Sequence, residues 1–249
     1  MFLDGLEDAE TGRLMGAFAQ EMADRKGYTR EEMDEYAITS LTRAKRAIEE
    51  GLLKDEIIPV TVKTRKGEVV VEDDEQPHNA NIEKIPSLRP AFAKDGTVTA
   101  ANASSISDGA SALVLMRESE AEKRGLKPLA RIVAHSTQSQ HPSEFTCAPV
   151  GAIETLFAKT GWTKDDVDLF EINEAFAMVA MMPIRELGLD PEKVNIHGGA
   201  CAQGHPVGST GSRLLVTLMH SLKHYGKKKG VAALCIGGGE ATAMAIELL

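Results

Sequence analysis

The 249-residue chain lacks several features on which particular protein classes depend. It has no run of about 18 or more apolar residues, so we expect no membrane-spanning helix. It has fewer basic residues (28 Lys and Arg) than acidic ones (37 Asp and Glu), which argues against a nucleic acid as partner. It has only three cysteines, with no Cys-x-x-Cys pair and no zinc-type spacing, so we expect free thiols and no metal site.

Neither end of the chain carries a known targeting signal. Met1-Phe2-Leu3-Asp4 is not followed by the charged and apolar regions of a secretory signal peptide. Glu247-Leu248-Leu249 is not a peroxisomal signal. Together with unpaired cysteines, these features predict a reducing, cytoplasmic location.

The composition is that of a globular protein, with 43% hydrophobic and 26% charged residues. Residues 1–51 are predicted to be mainly helical, and Thr29-Arg30-Glu31-Glu32 fits a helix capping box. Ile57–Val62 and Glu68–Val71 are predicted to form a small strand pair. Residues 73–101 are polar and irregular, so the first hundred residues give no signal of a parallel sheet.

Beyond residue 101 the pattern changes to strands that alternate with helices. The predicted strands are Ala110–Met116, Ala130–Ser136, Val167–Ile172, Val194–Ile196, Val231–Ile236 and Ala241–Leu248. The predicted helices are Glu118–Arg124, Pro149–Thr160, Glu174–Leu187 and Gly208–Tyr225. This alternation predicts a mostly parallel α/β sheet covered by helices, with an antiparallel last strand. In such sheets ligands bind where strands end, which draws attention to three loops.

The first loop begins at Asn173, between an apolar strand and a predicted helix. Asn is a favoured helix N-cap, which is one interpretation of this position. The other interpretation is that the amide lies at the end of the strand and points into a ligand crevice. Spacing alone leaves both open.

The second loop, Gly198 to Gly211, contains five glycines around His205-Pro206. It lacks both the P-loop spacing and a lysine, so a phosphate-binding loop is disfavoured. His205 is interpreted either as an imidazole held in a site or as an ordinary surface histidine. In the third loop, Cys235 ends an apolar strand and precedes Gly237-Gly238-Gly239. Cys235 is interpreted either as a small core residue or as a thiol beside free backbone N–H groups, which could bind an oxyanion.

An imidazole, a thiol, an amide and a glycine-rich backbone at one edge of a sheet suit acyl transfer. Their motifs closely resemble the three C-terminal signatures of the thiolases: Asn173-Glu174-Ala175-Phe176-Ala177, Gly204-His205-Pro206 and Cys235-Ile236-Gly237-Gly238-Gly239. Leu88-Arg89-Pro90-Ala91-Phe92 and the stretch from Gly96 to Ser104 resemble the junction between the loop domain and core of that family. Asp4-Gly5-Leu6 and Met15-Gly16 resemble the start of its loop domain.

The resemblance implies roles for individual residues. Thiolases form or cleave 3-ketoacyl-CoA thioesters by a ping-pong Claisen reaction. His205 and Asn173 would hold the thioester oxygen, and His205 would also activate the nucleophilic cysteine. Cys235 would be the acid/base thiol, and the N–H of Gly237 would line a second oxyanion hole. The resemblance also implies substrate-binding roles for Ser104, Phe92, Phe176, Met15 and Ala175. Coenzyme A would be a substrate or product, and no separate cofactor is expected.

The resemblance also implies that part of the family pattern is absent. The nucleophilic cysteine of thiolases lies in a Cys-x-Ser-Gly-like setting that does not occur here, and Cys147 is not expected to replace it. We therefore expect a thiolase-like layered fold, helix–sheet–helix, that is truncated at the N-terminus. Its parts would be an α+β loop domain (1–106), a remnant of the N-terminal core (107–128) with no sheet to join, and a complete C-terminal core (129–249).

The function that follows is that of an acyl-CoA acyltransferase of the thiolase family, inactive as an isolated chain. Expected partners are acyl-CoA or CoA, a second copy of the chain, and the missing N-terminal half. One alternative is a non-catalytic protein of the same fold that binds acyl-CoA or acts as a scaffold. A related transferase that condenses other acyl-CoAs is a weaker alternative. The sequence leaves acyl chain length and reaction direction open.

Overall fold

The computed structural model describes all residues, 1–249, and divides them into an N-terminal helical part and a C-terminal sheet with its helices. The helices are α1 (Met15–Lys26), α2 (Arg30–Glu49), α3 (Glu75–Asn79), α4 (Glu118–Lys123), α5 (Ala148–Thr160), α6 (Ala177–Leu187), α7 (Ala200–Gln203) and α8 (Thr210–His224). The strands are β1 (Val60–Thr64), β2 (Gly67–Val71), β3 (Ala130–Ser139), β4 (Leu169–Ile172), β5 (Lys229–Ile236) and β6 (Glu240–Leu248). Short helical turns occur at Phe2–Leu6, Ile82–Ser87, Pro142–Cys147 and Pro191–Lys193.

The start of α2 confirms the predicted capping box. The Thr29 side chain accepts the backbone N–H of Glu32, and the Glu32 side chain accepts the backbone N–H of Thr29. One face of α2 is buried, and Gly51 follows its end with a positive φ of 69°. The predicted strand pair is also present as the β1–β2 hairpin, although β1 begins at Val60 and both strands are exposed.

The main sheet has four strands in the order β3-β6-β5-β4. Only β4 and β5 are parallel, while β6 runs antiparallel to both of its neighbours. The strands β3, β4 and β5 therefore run in one direction and only the last strand, β6, opposes them, as predicted; but only one of the three neighbouring pairs is parallel, because β6 lies inside the sheet. The physical reason is the short glycine turn after β5, which makes β5 and β6 a hairpin and places β6 between β5 and β3. The predicted antiparallel direction of β6 is confirmed.

Three predicted elements differ in the structure. Ala110–Met116 forms no strand and is largely exposed, so the prediction of a buried strand is wrong. It has no neighbouring strand. Val194–Ile196 forms only a bridge between Val194 and Phe170, because Asn195 has a positive φ of 48° and its side-chain amide bonds both the N–H and the C=O of Ile172.

The third difference is the start of α6, predicted at Glu174 and found at Ala177. The backbone before it is bonded to the chain around Asn102 and Ser104 instead of to a helical turn. Ser104 N–H donates to the carbonyl of Ala175, and Ala177 N–H donates to that of Asn102. This pairing keeps Asn173 and its neighbours out of the helix.

Helices cover both faces of the main sheet. On one face α5 buries Ile153 and Leu156 against apolar residues of β4, β5 and β6. On the other face α8 buries Leu214, Leu218 and Leu222 against Leu169, Ala232 and Ile246. The expected helix–sheet–helix layering is thus confirmed. None of the helices combines the length and the apolar character that crossing a membrane requires.

The N-terminal helices lie over the end of the sheet where β4 and β5 finish. Phe18, Ala19 and Met22 of α1 belong to the same apolar cluster as Met178 and Met182 of α6. Cys235, at the end of β5, belongs to this cluster too. The packing therefore closes the sheet edge at which the three candidate loops meet. The residue limits of the loop domain and the core remnant stay a prediction.

Candidate active site

His205 lies between α7 and α8 with both ring nitrogens in contact with side chains. Nε2 lies 3.3 Å from Nδ2 of Asn173, and Nδ1 lies 2.6 Å from Oγ1 of Thr210. The backbone N–H of His205 donates to the carbonyl of Ser105. Burial, followed by the positive charge of Arg213, lowers the pKa of His205 to about 4. At neutral pH the imidazole is therefore uncharged and can act as a base, and the interpretation as a surface histidine is wrong.

Asn173 follows directly on β4 and is completely buried. Its backbone N–H donates to the carbonyl of Ala233 in β5, which extends the parallel pairing by one residue. Because α6 starts four residues later, with Phe176 as its N-cap, the interpretation of Asn173 as a helix N-cap is wrong. Its amide nitrogen faces His205, and its buried Oδ1 has no hydrogen-bond partner. An unpartnered buried oxygen is costly and is more typical of a functional site than of a purely structural one.

Cys235 lies near the end of β5, opposite Ala241 of β6. Its side chain is buried, and burial raises the pKa of its thiol to about 12. At neutral pH the sulfur therefore carries its proton. Cys235 packs in the apolar cluster of α1 and α6, yet it also lies two residues beyond Ala233, which pairs with Ile172 next to Asn173. No hydrogen bond joins Cys235 to His205 or Asn173, so its acid/base role stays a prediction.

The glycines after Cys235 form a turn that other residues would strain. Gly238 and Gly239 have φ values of 89° and 91°, in the region that favours glycine. A side chain at Gly239 would collide with the backbone of Gln140 and His141. Gly237 has an ordinary φ, and a Cβ placed there would lie 3.7 Å from Sδ of Met15. Met15 thus lies beside the backbone proposed as an oxyanion hole.

The other predicted substrate-binding residues lie close to one another. The rings of Phe92 and Phe176 meet edge to face with their centres 6.3 Å apart. Ser104 donates both its N–H and its hydroxyl to the carbonyl of Ala175, each at 3.0 Å. Met15, Phe92 and Ala175 all pack against the cluster that contains Phe176 and Cys235. The structure brings this set together around one apolar region, and its role in substrate binding stays a prediction.

Glu174 is a central residue that the sequence reasoning missed. It is completely buried and accepts hydrogen bonds from the Tyr36 hydroxyl (3.0 Å), the Ser40 hydroxyl (2.7 Å) and the Asn195 amide (2.9 Å). It also accepts the backbone N–H of Cys201 at 3.1 Å. The carboxylate therefore joins α2, β4 and the glycine-rich loop. The available signal in the sequence was a charged residue directly after the predicted strand Val167–Ile172 and next to Asn173.

Arg213, Glu171 and Glu56 form a second group of ionisable side chains, and the charge of Arg213 also acts on His205. Nη1 of Arg213 lies 3.9 Å from Oε2 of Glu171, and neither atom has a hydrogen bond. Burial raises the pKa of Glu171 to about 8 and that of Glu56 to about 7, while the charge of Arg213 lowers both. Glu56 also accepts a hydrogen bond from Thr217 of α8. Arg213 thus acts electrostatically on both carboxyls and on His205.

The other two cysteines, Cys147 and Cys201, have environments different from that of Cys235. Sγ of Cys147 lies 3.3 Å from Sδ of Met22, and the Cys201 thiol donates to the carbonyl of Glu174. All three thiols are free. No group of three or more His, Cys, Asp or Glu side chains is placed to hold a metal ion. The side chains that the structure joins directly at this edge are the imidazole of His205, the amide of Asn173 and the hydroxyl of Thr210.

Comparisons with known proteins establish the family and agree with the fold. The family description "Thiolase, N-terminal domain" matches residues 1–119, and "Thiolase, C-terminal domain" matches residues 126–248. The chain belongs to the thiolase family. Cytosolic acetyl-CoA acetyltransferase of Mus musculus is 51% identical over 247 residues, which are 98% of this chain and 62% of the mouse protein. Acetyl-CoA acetyltransferase of Rhizobium meliloti is 48% identical over 100% of this chain and 64% of its own length.

Solved structures show the same relationship. The Bacillus anthracis acetyl-CoA acetyltransferase superposes with a TM-score of 0.94 at 46% identity, over 98% of this chain and 62% of the bacterial one. Acat5 thiolase from Ascaris suum, solved in complex with coenzyme A, gives 0.89 at 41% identity, over 99% of this chain and 63% of its own. The chain therefore spans somewhat less than two thirds of the length of the relatives it matches.

Proposed function

We propose that this chain supplies the proton-transfer and oxyanion-binding groups of an acetyl-CoA acetyltransferase of the thiolase type. The observation that carries the proposal is the pair formed by His205 and Asn173 at adjoining loops. A neutral imidazole nitrogen faces a buried amide there, with a protonated thiol at the end of the next strand. The names of the matched relatives, acetyl-CoA acetyltransferases in both cases quoted, support the same substrate class.

In the cleavage direction, His205 takes the proton of a nucleophilic cysteine, whose thiolate adds to the keto carbon of a 3-ketoacyl-CoA. The carbon–carbon bond breaks, and its electron pair passes to the enolate of acetyl-CoA. Cys235 gives its proton to that enolate and then takes the proton of the incoming CoA thiol. The CoA thiolate attacks the acyl-enzyme and releases the first cysteine as a thiolate, which takes its proton back from His205. A neutral base and a protonated acid are the starting states that this order requires.

The oxygen atoms of the reacting thioester need fixed donors. Asn173 and the protonated form of His205 would donate to one oxygen, and the N–H of Gly237, two residues after Cys235, would donate to the other. Donors held in place before the reaction stabilise developing negative charge without reorganising. The buried Oδ1 of Asn173 without a partner is consistent with a group placed for a ligand.

We further propose that these 249 residues alone do not form the acyl-enzyme. His205 makes its side-chain contacts with Asn173 and Thr210, and none of the three thiols is hydrogen-bonded to it. The acyl-accepting cysteine would then be supplied from outside this chain. The proposed partners are acyl-CoA, a second copy of the chain, and a polypeptide that corresponds to the uncovered part of the relatives. A cytoplasmic location stays a prediction.

The experiment supplies the uncovered part from a relative. The portion of the Bacillus anthracis enzyme that this chain does not cover is fused to the chain, and CoA-dependent cleavage of acetoacetyl-CoA is measured. We expect no turnover from the chain alone and turnover from the fusion, with loss of activity in a fusion carrying His205→Asn. Turnover by the isolated chain would contradict the missing nucleophile. A folded fusion that binds CoA without turnover would favour the non-catalytic alternative.

A further inference from the structure

Thr210, the first residue of α8, is completely buried beside His205. Its Oγ1 lies 2.6 Å from Nδ1 of His205 and 3.0 Å from the carbonyl oxygen of Pro206. A carbonyl oxygen can only accept, so a hydrogen bond between Oγ1 and Pro206 takes the single hydroxyl hydrogen of Thr210. The lone pairs of Oγ1 then face Nδ1 of His205. A hydrogen bond between these two atoms requires that Nδ1 carries the hydrogen. This geometry calls for a proton on Nδ1.

The other side of the ring gives an independent indication. The amide nitrogen of Asn173, which can only donate, lies 3.3 Å from Nε2. In this orientation of the Asn173 amide, Nε2 presents a lone pair. In a neutral imidazole one nitrogen donates and the other accepts, so the two contacts agree on the same arrangement.

We propose that Thr210 is a positioning residue that holds His205 in the tautomer with its proton on Nδ1 and a free lone pair on Nε2. Its consequence for catalysis rests on the proposed function, since only a lone pair on Nε2 can take the proton of a cysteine. The proposal itself concerns which nitrogen of the His205 ring carries the proton, and it can be tested without measuring turnover. The competing arrangement has Thr210 donating to Nδ1 and places the proton on Nε2.

The two arrangements are distinguished by NMR on the full 249-residue chain. The histidines are labelled with ¹⁵N, and long-range ¹H–¹⁵N correlation at pH 7 shows which ring nitrogen bears the proton. The spectrum of His205→Asn assigns the His205 signals by their absence. We expect Nδ1 of His205 to be protonated and Nε2 to be of the pyridine type. A proton on Nε2 in the parent chain would overturn the proposal.

Variants at Thr210 then test the cause. Thr210→Val removes the hydroxyl at nearly constant shape, and Thr210→Ser retains it. We expect Thr210→Val to change the tautomer ratio roughly five- to tenfold, the size typical of one neutral hydrogen bond, and Thr210→Ser to leave it unchanged. Thr210→Ala provides a second variant without the hydroxyl if valine disturbs folding. An unchanged ratio in both folded variants would also overturn the proposal.

His197 is an internal reference in the same spectra. It is buried, with Nδ1 at 3.2 Å from the Ser221 hydroxyl and Nε2 at 3.3 Å from that of Tyr225. Its signals should be the same in all Thr210 variants if the fold is intact. In the active fusion, we expect Thr210→Val to lower kcat about tenfold at unchanged KM, with recovery in Thr210→Ser. An inactive fusion with the expected tautomer would count against the proposed function and leave the role of Thr210 standing.

Discussion

Residues 110–116 and strand β5 are both short apolar segments, but they differ in strand pairing and in burial. β5 pairs with β4 and β6, and Val231 and Ala233 have no exposed surface. In the other segment Val114 is 85% exposed and Leu115 69%, and no strand lies beside them. Apolar side chains favour extended structure, but a strand exists only where neighbours supply hydrogen bonds and cover. The difference lies in the surroundings and not in the composition.

The chain just before residues 110–116, together with Ser111 at the start of that segment, is nevertheless tied to the candidate site. The carbonyl of Ser105 accepts the N–H of His205, and the Ser111 hydroxyl contacts those of Ser209 and Ser212. The anchored part thus supports the glycine-rich loop of the candidate site, while Val114 and Leu115 beyond it are largely exposed. The candidate site and the unpaired segment therefore lie close together in sequence.

The largest expected effect lies at the end of the paired strand. In the active fusion, Cys235→Ser should lower kcat for acetyl-CoA condensation by about 10²–10⁴, the usual loss on removing one acid/base group. Serine retains the shape but is a much weaker acid than a thiol. Steady-state kinetics measure the change. Cys147→Ser, at a thiol that faces Met22, is the matched control and should remain within a few-fold of the parent. A similar small effect for Cys235→Ser would make it only a core residue.

A pair of identical substitutions tests the packing contrast. Leu218→Ala in α8 should lower the free energy of unfolding by about 2–5 kcal/mol, because it opens a cavity under the sheet. Leu115→Ala removes the same atoms from an exposed position and should change it by no more than about 0.5 kcal/mol. Urea unfolding followed by circular dichroism gives both values. A large loss for Leu115→Ala would show that its segment is buried in solution.

Self-association of the chain would bury the exposed apolar side chains of residues 110–116. We expect concentration-dependent oligomers in light scattering, because an exposed apolar segment with unpaired backbone invites association. The double variant Val114→Lys, Leu115→Glu should weaken association about tenfold or more, given the apolar area that two such side chains bury. Glu122→Lys with Lys123→Glu, on the neighbouring exposed helix, is the control. A stable monomer in the parent chain would contradict this prediction.

Local signals in the sequence predicted much of the fold and the centre of the site. The capping box at Thr29, helix α4, the β5–β6 hairpin and the loops of Asn173, His205 and Cys235 all depend on residues near one another in sequence. Residues far apart in sequence account for the failures. Glu174 is satisfied by Tyr36 and Ser40, more than a hundred residues earlier, and no local pattern links them.

The position of β6 inside the sheet, which leaves only one parallel pair of neighbours, was not predicted for a similar reason. Alternating helices and strands predict parallel pairing only if each strand joins the next by a crossover. Here the final strand turns back at once and takes the place between β5 and β3. The prediction of a strand at 110–116 was wrong because a strand needs neighbouring strands, and the sequence of the segment does not show whether these are present.

The smallest expected effect concerns the buried carboxyl of Glu171 in the paired core. Its pKa in the folded chain is raised to about 8, above the ordinary value of 4.5, so between these values the folded state holds a proton that the unfolded state has lost. The stabilising effect of that proton is complete at acidic pH and is lost as the pH rises to about 8. From pH 6.5 to 8, Glu171→Gln should therefore remove up to about 1 kcal/mol per pH unit of the parent's decline in unfolding free energy. Glu192→Gln, whose side chain is 83% exposed, should leave the decline unchanged. Equal slopes for the parent and Glu171→Gln would mean that Arg213, 3.9 Å away, keeps Glu171 ionised in the folded chain.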